Sequence, residues 1–278
     1  MTSPTLAILH PGAMGAAVGA SLRAAGRRVV WASAGRSAAT VQRAQAAGLE
    51  DLGTLEAAVR AADIVFSICP PHNAVDLART VAGLGFRGIY ADANAVSPST
   101  AQEIRAVAEG AGARFLDGGI IGLPPRKPGT TRLFLAGPDA AATAALFEGG
   151  LLHAVALDGP PGSASALKIC FAAWSKGSTA LLGAIRALAR HEGAEQALLA
   201  EWERTNPGLV ARSEEIAQKA EKAWRWVGEM EEIAATFRQA GLPDGFHLAA
   251  ADIYTRLQPY KDAEQAPPMD GVVERLLK

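Results

Sequence analysis

The stretch SASALKIC, residues 163–170, places one lysine in an otherwise small and apolar helical segment. Lys168 is flanked by Ala166, Leu167, Ile169 and Cys170. Partial desolvation there lowers an ammonium pKa toward working pH, which suits a group that gives and takes a proton. Taken alone, the same residue also fits a lysine that snorkels from the edge of a helix. On a helix, Lys168, Ala172, Ser175, Lys176 and Thr179 share one face. A lysine needs a reaction to serve, and the rest of the chain says which.

LAILHPGAMGAAVGASL orders a strand, a tight turn and a helix. The dinucleotide fingerprint G-x-G-x-x-G falls on His10-Pro11-Gly12-Ala13-Met14-Gly15, with its first glycine replaced. Gly12 is where backbone must come close to a pyrophosphate, and Gly15 is where helix packs on strand. The helix N-terminus adds free N–H groups and positive dipole. The second strand ends in WASAGRS, with no acid to hold ribose hydroxyls. It offers Ser33, Arg36 and Ser37 instead, which suit a 2′-phosphate and point to NADP, with NAD as the other possibility.

Two further strand ends carry candidate residues. ICPPHN puts Cys69, Pro70 and Pro71 beside the cofactor, and ADANAVSP offers Asn94 to ribose or nicotinamide, or to its own turn. Asp117 is expected to end a strand, followed by a flexible loop. In it, Gly118, Gly119 and Gly122 present N–H groups to a substrate carboxylate, with Arg126 and Lys127 nearby.

The elements that must hold these residues are legible too. Seven short apolar runs, at 6–9, 28–32, 64–68, 88–92, 114–117, 133–136 and 154–157, alternate mostly with helical patterns. That alternation predicts an α/β fold with a doubly wound parallel sheet over residues 1–158. After Asp158 strand signals stop. One helix of about 30 residues runs from Ser163 to about His191, opening an all-α region over 159–278. Further helices are expected over 195–204, 209–227, 228–240, 246–257 and 271–277. With 278 residues, 49% hydrophobic and a net charge of −1, nothing advertises nucleic acid, and no apolar run is long enough to span a membrane. Cys69 and Cys170 read as reduced core thiols of a cytoplasmic protein, not a disulfide or metal site. Trp174 reads as core, as does His247.

The fingerprint at 10–15, DGGIIG at 117–122 and GSASALKIC at 162–170 occur in an order that resembles the β-hydroxyacid dehydrogenases, including the 6-phosphogluconate dehydrogenases. The resemblance covers nearly the whole chain. It implies a Rossmann domain, a long interdomain helix and a helical domain that forms a homodimer. It implies that Lys168 is the catalytic lysine, exchanging a proton with the oxygen of a small-molecule substrate while hydride moves to or from a nicotinamide. Ile121 stands where many relatives have a serine that touches substrate, and Ala172 where an asparagine often assists. Lys176 is then a candidate to hold a substrate carboxylate or phosphate, its alternative being an interface ion pair. The same resemblance leaves two other readings: an imine reductase, against which Lys168 argues, and a cofactor-binding pseudoenzyme or regulator.

Overall fold

The computed structural model describes residues 3–278. Its contacts divide the chain into two units, one ending at Ile169 and one starting at Cys170. The division falls inside the long helix.

The first unit is built on an eight-stranded sheet. Its elements run β1 (Thr5–Ile8), α1 (Ala13–Ala24), β2 (Arg28–Trp31), α2 (Ala38–Ala46), β3 (Glu50–Asp51) and α3 (Leu55–Ala61). They continue through β4 (Ile64–Ser67), α4 (Ala74–Gly83), β5 (Ile89–Asp92), α5 (Pro98–Gly110) and β6 (Arg114–Ile121). The last are β7 (Arg132–Ala136), α6 (Ala140–Ala144) and β8 (His153–Leu157). The sheet order is β3-β2-β1-β4-β5-β6-β7-β8. All neighbours are parallel except β6 and β7, so the final two strands run against the rest.

Successive residues of β1 explain why both faces are covered. Leu6 and Ile8 join one apolar cluster with Phe66 and Phe147, and Ala7 and Leu9 join another with Val65 and Tyr90. A strand buried on both sides reads as a continuous apolar run, and β1, β4 and β5 do. The helices between them start on side-chain caps: Ser37 for α2, Thr54 for α3, and Ser97 followed by Pro98 for α5.

Two expectations about strands change. β3 is a two-residue polar strand that apolar patterning does not reveal. β6 does not stop at Asp117; it continues through Gly118, Gly119, Ile120 and Ile121, paired to β7 from Asp117↔Ala136 to Ile121↔Arg132. The glycines are thus ladder residues, not a flexible loop.

The helix α7 (Ser163–His191) matches the expected long helix at both ends. The second unit continues with α8 (Glu195–Thr205), α9 (Leu209–Gln218), α10 (Trp226–Gln239), α11 (Gly245–Arg256) and α12 (Met269–Leu276). The single helix expected over 209–227 is broken, since a 3₁₀ segment at Ala220–Arg225 separates α9 from α10. Trp226 packs edge-on to Tyr254 at 5.0 Å, and Phe237 lies 4.4 Å from the ring of a buried His247. Trp174 is not core: it is 63% exposed, with the Arg212 guanidinium 4.6 Å above its ring. Cys170 is likewise exposed, while Cys69 is half-buried, and neither forms a disulfide.

Candidate functional site

The turn after β1 opens on a cavity of ≈ 340 Å³. It is lined by His10, Gly12, Ala13, Met14 and Gly15 from the turn and α1, by Arg36 and Thr40 after β2, and by Ile68, Cys69 and Pro70 after β4. Pro11 bridges the turn without facing the cavity, and the exposed Pro71 opens a short 3₁₀ turn at Pro71–Asn73. Gly15 is required by sterics: a Cβ there would overlap the carbonyl oxygen of His10. Gly12 is not, since its φ is −64° and a Cβ would meet nothing within 4 Å. The space it leaves belongs to the cavity.

Two arginines brace the turn, Arg36 from the cavity lining and Arg43 from α2. Arg36 Nη2 donates to the Leu9 carbonyl at 3.3 Å, and Arg43 Nε donates to the Pro11 carbonyl at 3.4 Å. Arg43 Nη2 also donates to Thr40 Oγ1 at 3.0 Å. Arg43 is a brace of the turn that the sequence does not reveal, because on a helix it looks like any surface arginine. His10 is held neutral: burial, and then the charge of Arg36, pull its pKa down to about 4. Burial lowers Arg36 as well. His10 Nδ1 and Arg36 Nε are buried and carry no hydrogen bond among the described residues.

Ser33 and Ser37 are placed differently. Ser37 is exposed and spends its Oγ on the N-terminus of α2, accepting from Thr40 N at 3.3 Å. Ser33 N donates to Asp51 Oδ1 at 3.1 Å, and Gly53 N donates to the same oxygen at 2.8 Å. Asp51, on β3, is the acid beside the end of β2. Burial pushes its pKa up, but the hydrogen bonds from Ser33 and Gly53 outweigh that and leave it below the usual carboxylate range.

Asn94 departs from expectation. It is buried, and its amide is spent inside the protein. Nδ2 donates to Ser67 Oγ at 2.9 Å and to Asp92 Oδ1 at 2.5 Å, and Oδ1 accepts from Cys69 N at 2.6 Å. It braces the Cys69–Pro70 wall of the cavity from behind and offers no N–H to a ligand. Asp92 beneath it is fully buried, and desolvation, helped by the charge of Asp117, raises it to about 7. Burial, then the charge of Asp92, pushes the Cys69 thiol up to about 11.

Asp117 organises the start of α7. Its Oδ2 accepts from the N–H groups of Gly162, Ala164 and Ser165 at 2.8, 2.7 and 3.0 Å, and its Oδ1 accepts from Ser165 Oγ at 2.5 Å. A buried carboxylate thus caps the helix from inside a strand, where the helix dipole favours it. Gly119, two residues along β6, lets the helix lie close: a Cβ there would come 2.5 Å from the Ala164 carbonyl oxygen and 3.3 Å from Lys168 Cβ. Half-buried Lys168 is therefore seated against the carboxyl half of β6. Gly118 faces the Asp92 carbonyl oxygen in the same way, and Gly122 leaves the strand at a φ of +123°. Ile121 is buried, whereas Arg126 and Lys127 are exposed in the β6–β7 connection.

Ala172 and Lys176 lie in the second unit. Ala172 is buried. Lys176 does not offer an open amine: Nζ is ion-paired with Glu229 of α10, it lies 5.9 Å from the Trp226 ring, and its carbonyl accepts from Tyr254 Oη at 2.6 Å. The pair sits within one unit, so Lys176 reads as a tie between α7 and α10. Among the described residues no group of His, Cys, Asp and Glu is placed to hold a metal ion, and no helix is long and apolar enough to cross a membrane.

The comparison that decides the family covers the cavity-bearing unit. Residues 5–148, more than half the chain, match the family described as the NAD binding domain of 6-phosphogluconate dehydrogenase. The chain belongs to that family. Residues 189–257 match a second family, described as Domain of unknown function (DUF1932). No curated protein matches the sequence. Among solved structures, the conserved protein MTH1747 of unknown function, reported as similar to 3-hydroxyacid dehydrogenases, is 25% identical. It aligns over 92% of this chain and 98% of its own, with a TM-score of 0.74. A 3-hydroxyisobutyrate dehydrogenase of Mycobacterium tuberculosis shares the fold over all of both chains, at 18% identity and a TM-score of 0.74. A reductive aminase of Aspergillus terreus, solved with NADPH, is 21% identical over 98% of this chain and 99% of its own, with a TM-score of 0.58. As a member of this 6-phosphogluconate dehydrogenase-like family, the chain is an NAD(P)-dependent oxidoreductase. The cavity, with its open Gly12, tight Gly15 and α1 N-terminus, fits a nicotinamide dinucleotide.

Proposed function

We propose that the protein is an NADP-dependent reductase or dehydrogenase acting on a carbonyl/hydroxyl pair, with Lys168 as the proton carrier. When bound, the cofactor supplies or receives the hydride. Lys168 Nζ gives a proton to the carbonyl oxygen being reduced, or takes it from the hydroxyl in the reverse direction. The observation that carries this reading is the seating of Lys168. Asp117 fixes the first turn of α7, and the bare Gly119 brings Lys168 Cβ against β6, at the strand ends where open α/β sheets bind ligands. The NADP preference rests on Arg36 in the cavity lining, and on Asp51 Oδ1 being taken by the N–H groups of Ser33 and Gly53. The turn from Gly12 to Gly15 would hold the pyrophosphate, and Cys69 and Pro70 would bound the ribose side.

With buried Ile121 replacing a polar contact, a less polar substrate than a small hydroxyacid is favoured. The same reading makes the protein a cytoplasmic homodimer, and the helical unit supports the dimer. Phe171, Trp174, Leu181 and Leu188 are exposed along α7, with the last three seven residues apart.

The deciding experiment assays Lys168→Ala against a panel of hydroxyacids, aldehydes and cyclic imines. The kcat/KM on the best carbonyl substrate should fall roughly 10²–10⁴-fold, with the Kd for NADPH, read by its fluorescence, unchanged. Wild-type turnover by the variant, on imines or on carbonyls, would remove Lys168 from the chemistry.

A further inference from the structure

The turn that replaces the first fingerprint glycine by histidine leaves an unpartnered ring nitrogen in a residue of the cavity wall. His10 Nδ1 and Arg36 Nε are both buried, both without a partner, and both belong to residues that line the same cavity. Their charges feel one another, since Arg36 contributes to keeping the imidazole neutral. A neutral imidazole has one N–H to give, and a buried polar group left unpaired is destabilising. The arginine's remaining donors are only partly used, with Nη2 on the Leu9 carbonyl. Arg43 is fastened to the Pro11 carbonyl, so the two guanidinium groups grip the carbonyls on either side of His10. The turn is thereby braced around an imidazole on the Arg36 side of the cavity, the side that follows β2 and takes the adenosine ribose in this fold. A glycine at position 10 would keep both carbonyl contacts but offer no ring nitrogen.

Resting on the NADP reading above, we propose that His10 is a specificity-determining residue: its Nδ1–H and Arg36 Nε–H together take the 2′-phosphoryl group of the cofactor's ribose. The missing first glycine is then a gain of a ligand contact and not a tolerated defect. Two N–H donors converging on one phosphomonoester discriminate strongly, because the analogue that lacks the phosphate leaves both unpaired.

The test uses ligands that lack the nicotinamide. Adenosine 2′,5′-bisphosphate and adenosine 5′-monophosphate are titrated calorimetrically into the wild type and into His10→Gly, which restores the fingerprint residue. The wild type should prefer the bisphosphate at least tenfold. His10→Gly should lose about tenfold for the bisphosphate and nothing for the monophosphate. On the wild type itself, the ¹⁵N resonance of His10 Nδ1 should shift with the bisphosphate and not with the monophosphate, a readout that stands even if the variant folds poorly. A wild type that prefers the bisphosphate while His10→Gly weakens both ligands equally, or neither, overturns the role of His10 and leaves the NADP reading standing. A wild type with no preference removes the NADP reading and this inference with it.

Discussion

Asp117 Oδ1 accepts a 2.5 Å hydrogen bond from Ser165 Oγ, joining the middle of a strand to the first turn of a 29-residue helix. The other carboxylate oxygen takes three backbone N–H groups from the same turn. Four of the helix's opening contacts thus converge on one side chain, and Lys168 follows Ser165 by three residues.

Asp117→Ala strands those buried donors, and the expected loss is about 2–4 kcal/mol of stability in urea unfolding. Ser165→Ala removes a single bond and should cost about 1 kcal/mol. Equal effects of the two would mean that the backbone donors contribute nothing.

Gly119→Ala should separate placement from chemistry. The added methyl presses on the Ala164 carbonyl, so α7 must lift from β6. About 1–3 kcal/mol of stability is expected to go, together with a large drop in kcat and an unchanged NADPH Kd. Stopped-flow binding beside steady-state assay checks the split, and retained kcat would show that Lys168 does not depend on this contact.

Asp92 makes stability fall with rising pH. Its folded pKa, raised to about 7 first by burial, lies above its ordinary value of 3.8, so the folded state holds a proton that the unfolded state has released. The fold therefore loses up to about 4 kcal/mol between pH 4 and 7 through this one group. Asp92→Asn, which keeps an oxygen for Asn94 Nδ2, should flatten that slope in denaturant melts at pH 5, 6, 7 and 8. An unchanged slope would place the titration elsewhere.

The Lys176–Glu229 pair is expected to tie helices and not bind substrate. A double-mutant cycle with Lys176→Met and Glu229→Gln should give a coupling of about 1 kcal/mol. Substrate KM in Lys176→Met should stay within about twofold of wild type, and a tenfold rise would return Lys176 to the binding site.

What the sequence displayed was whatever has a period or a punctuation mark. The strands of the first unit and both ends of α7 were legible because apolar runs and Gly-Pro breaks announce them. β3 was not, since Glu50 and Asp51 pair along an edge without burying anything. The extension of β6 was hidden because glycines read as a break, while here they are flat spots: Gly119 lets a helix approach, and Gly118 fits against the Asp92 carbonyl. The fingerprint residues came together around one cavity. Asn94 and Lys176 each pair with a group distant in the chain, Cys69 N and Glu229, and pairing at that range leaves no trace in local pattern. Arg43 was overlooked for the converse reason, its target being the Pro11 carbonyl.

The open space beside Gly12 has a different implication from the crowding at Gly15. In a randomised library sorted only for heat resistance, position 12 should drift freely to alanine or serine, whereas position 15 should stay fixed. Sorting the same library by capture on immobilised nucleotide would instead hold both, so comparing the two enrichments reads out, residue by residue, which glycines this turn keeps for its own architecture and which it keeps for its guest.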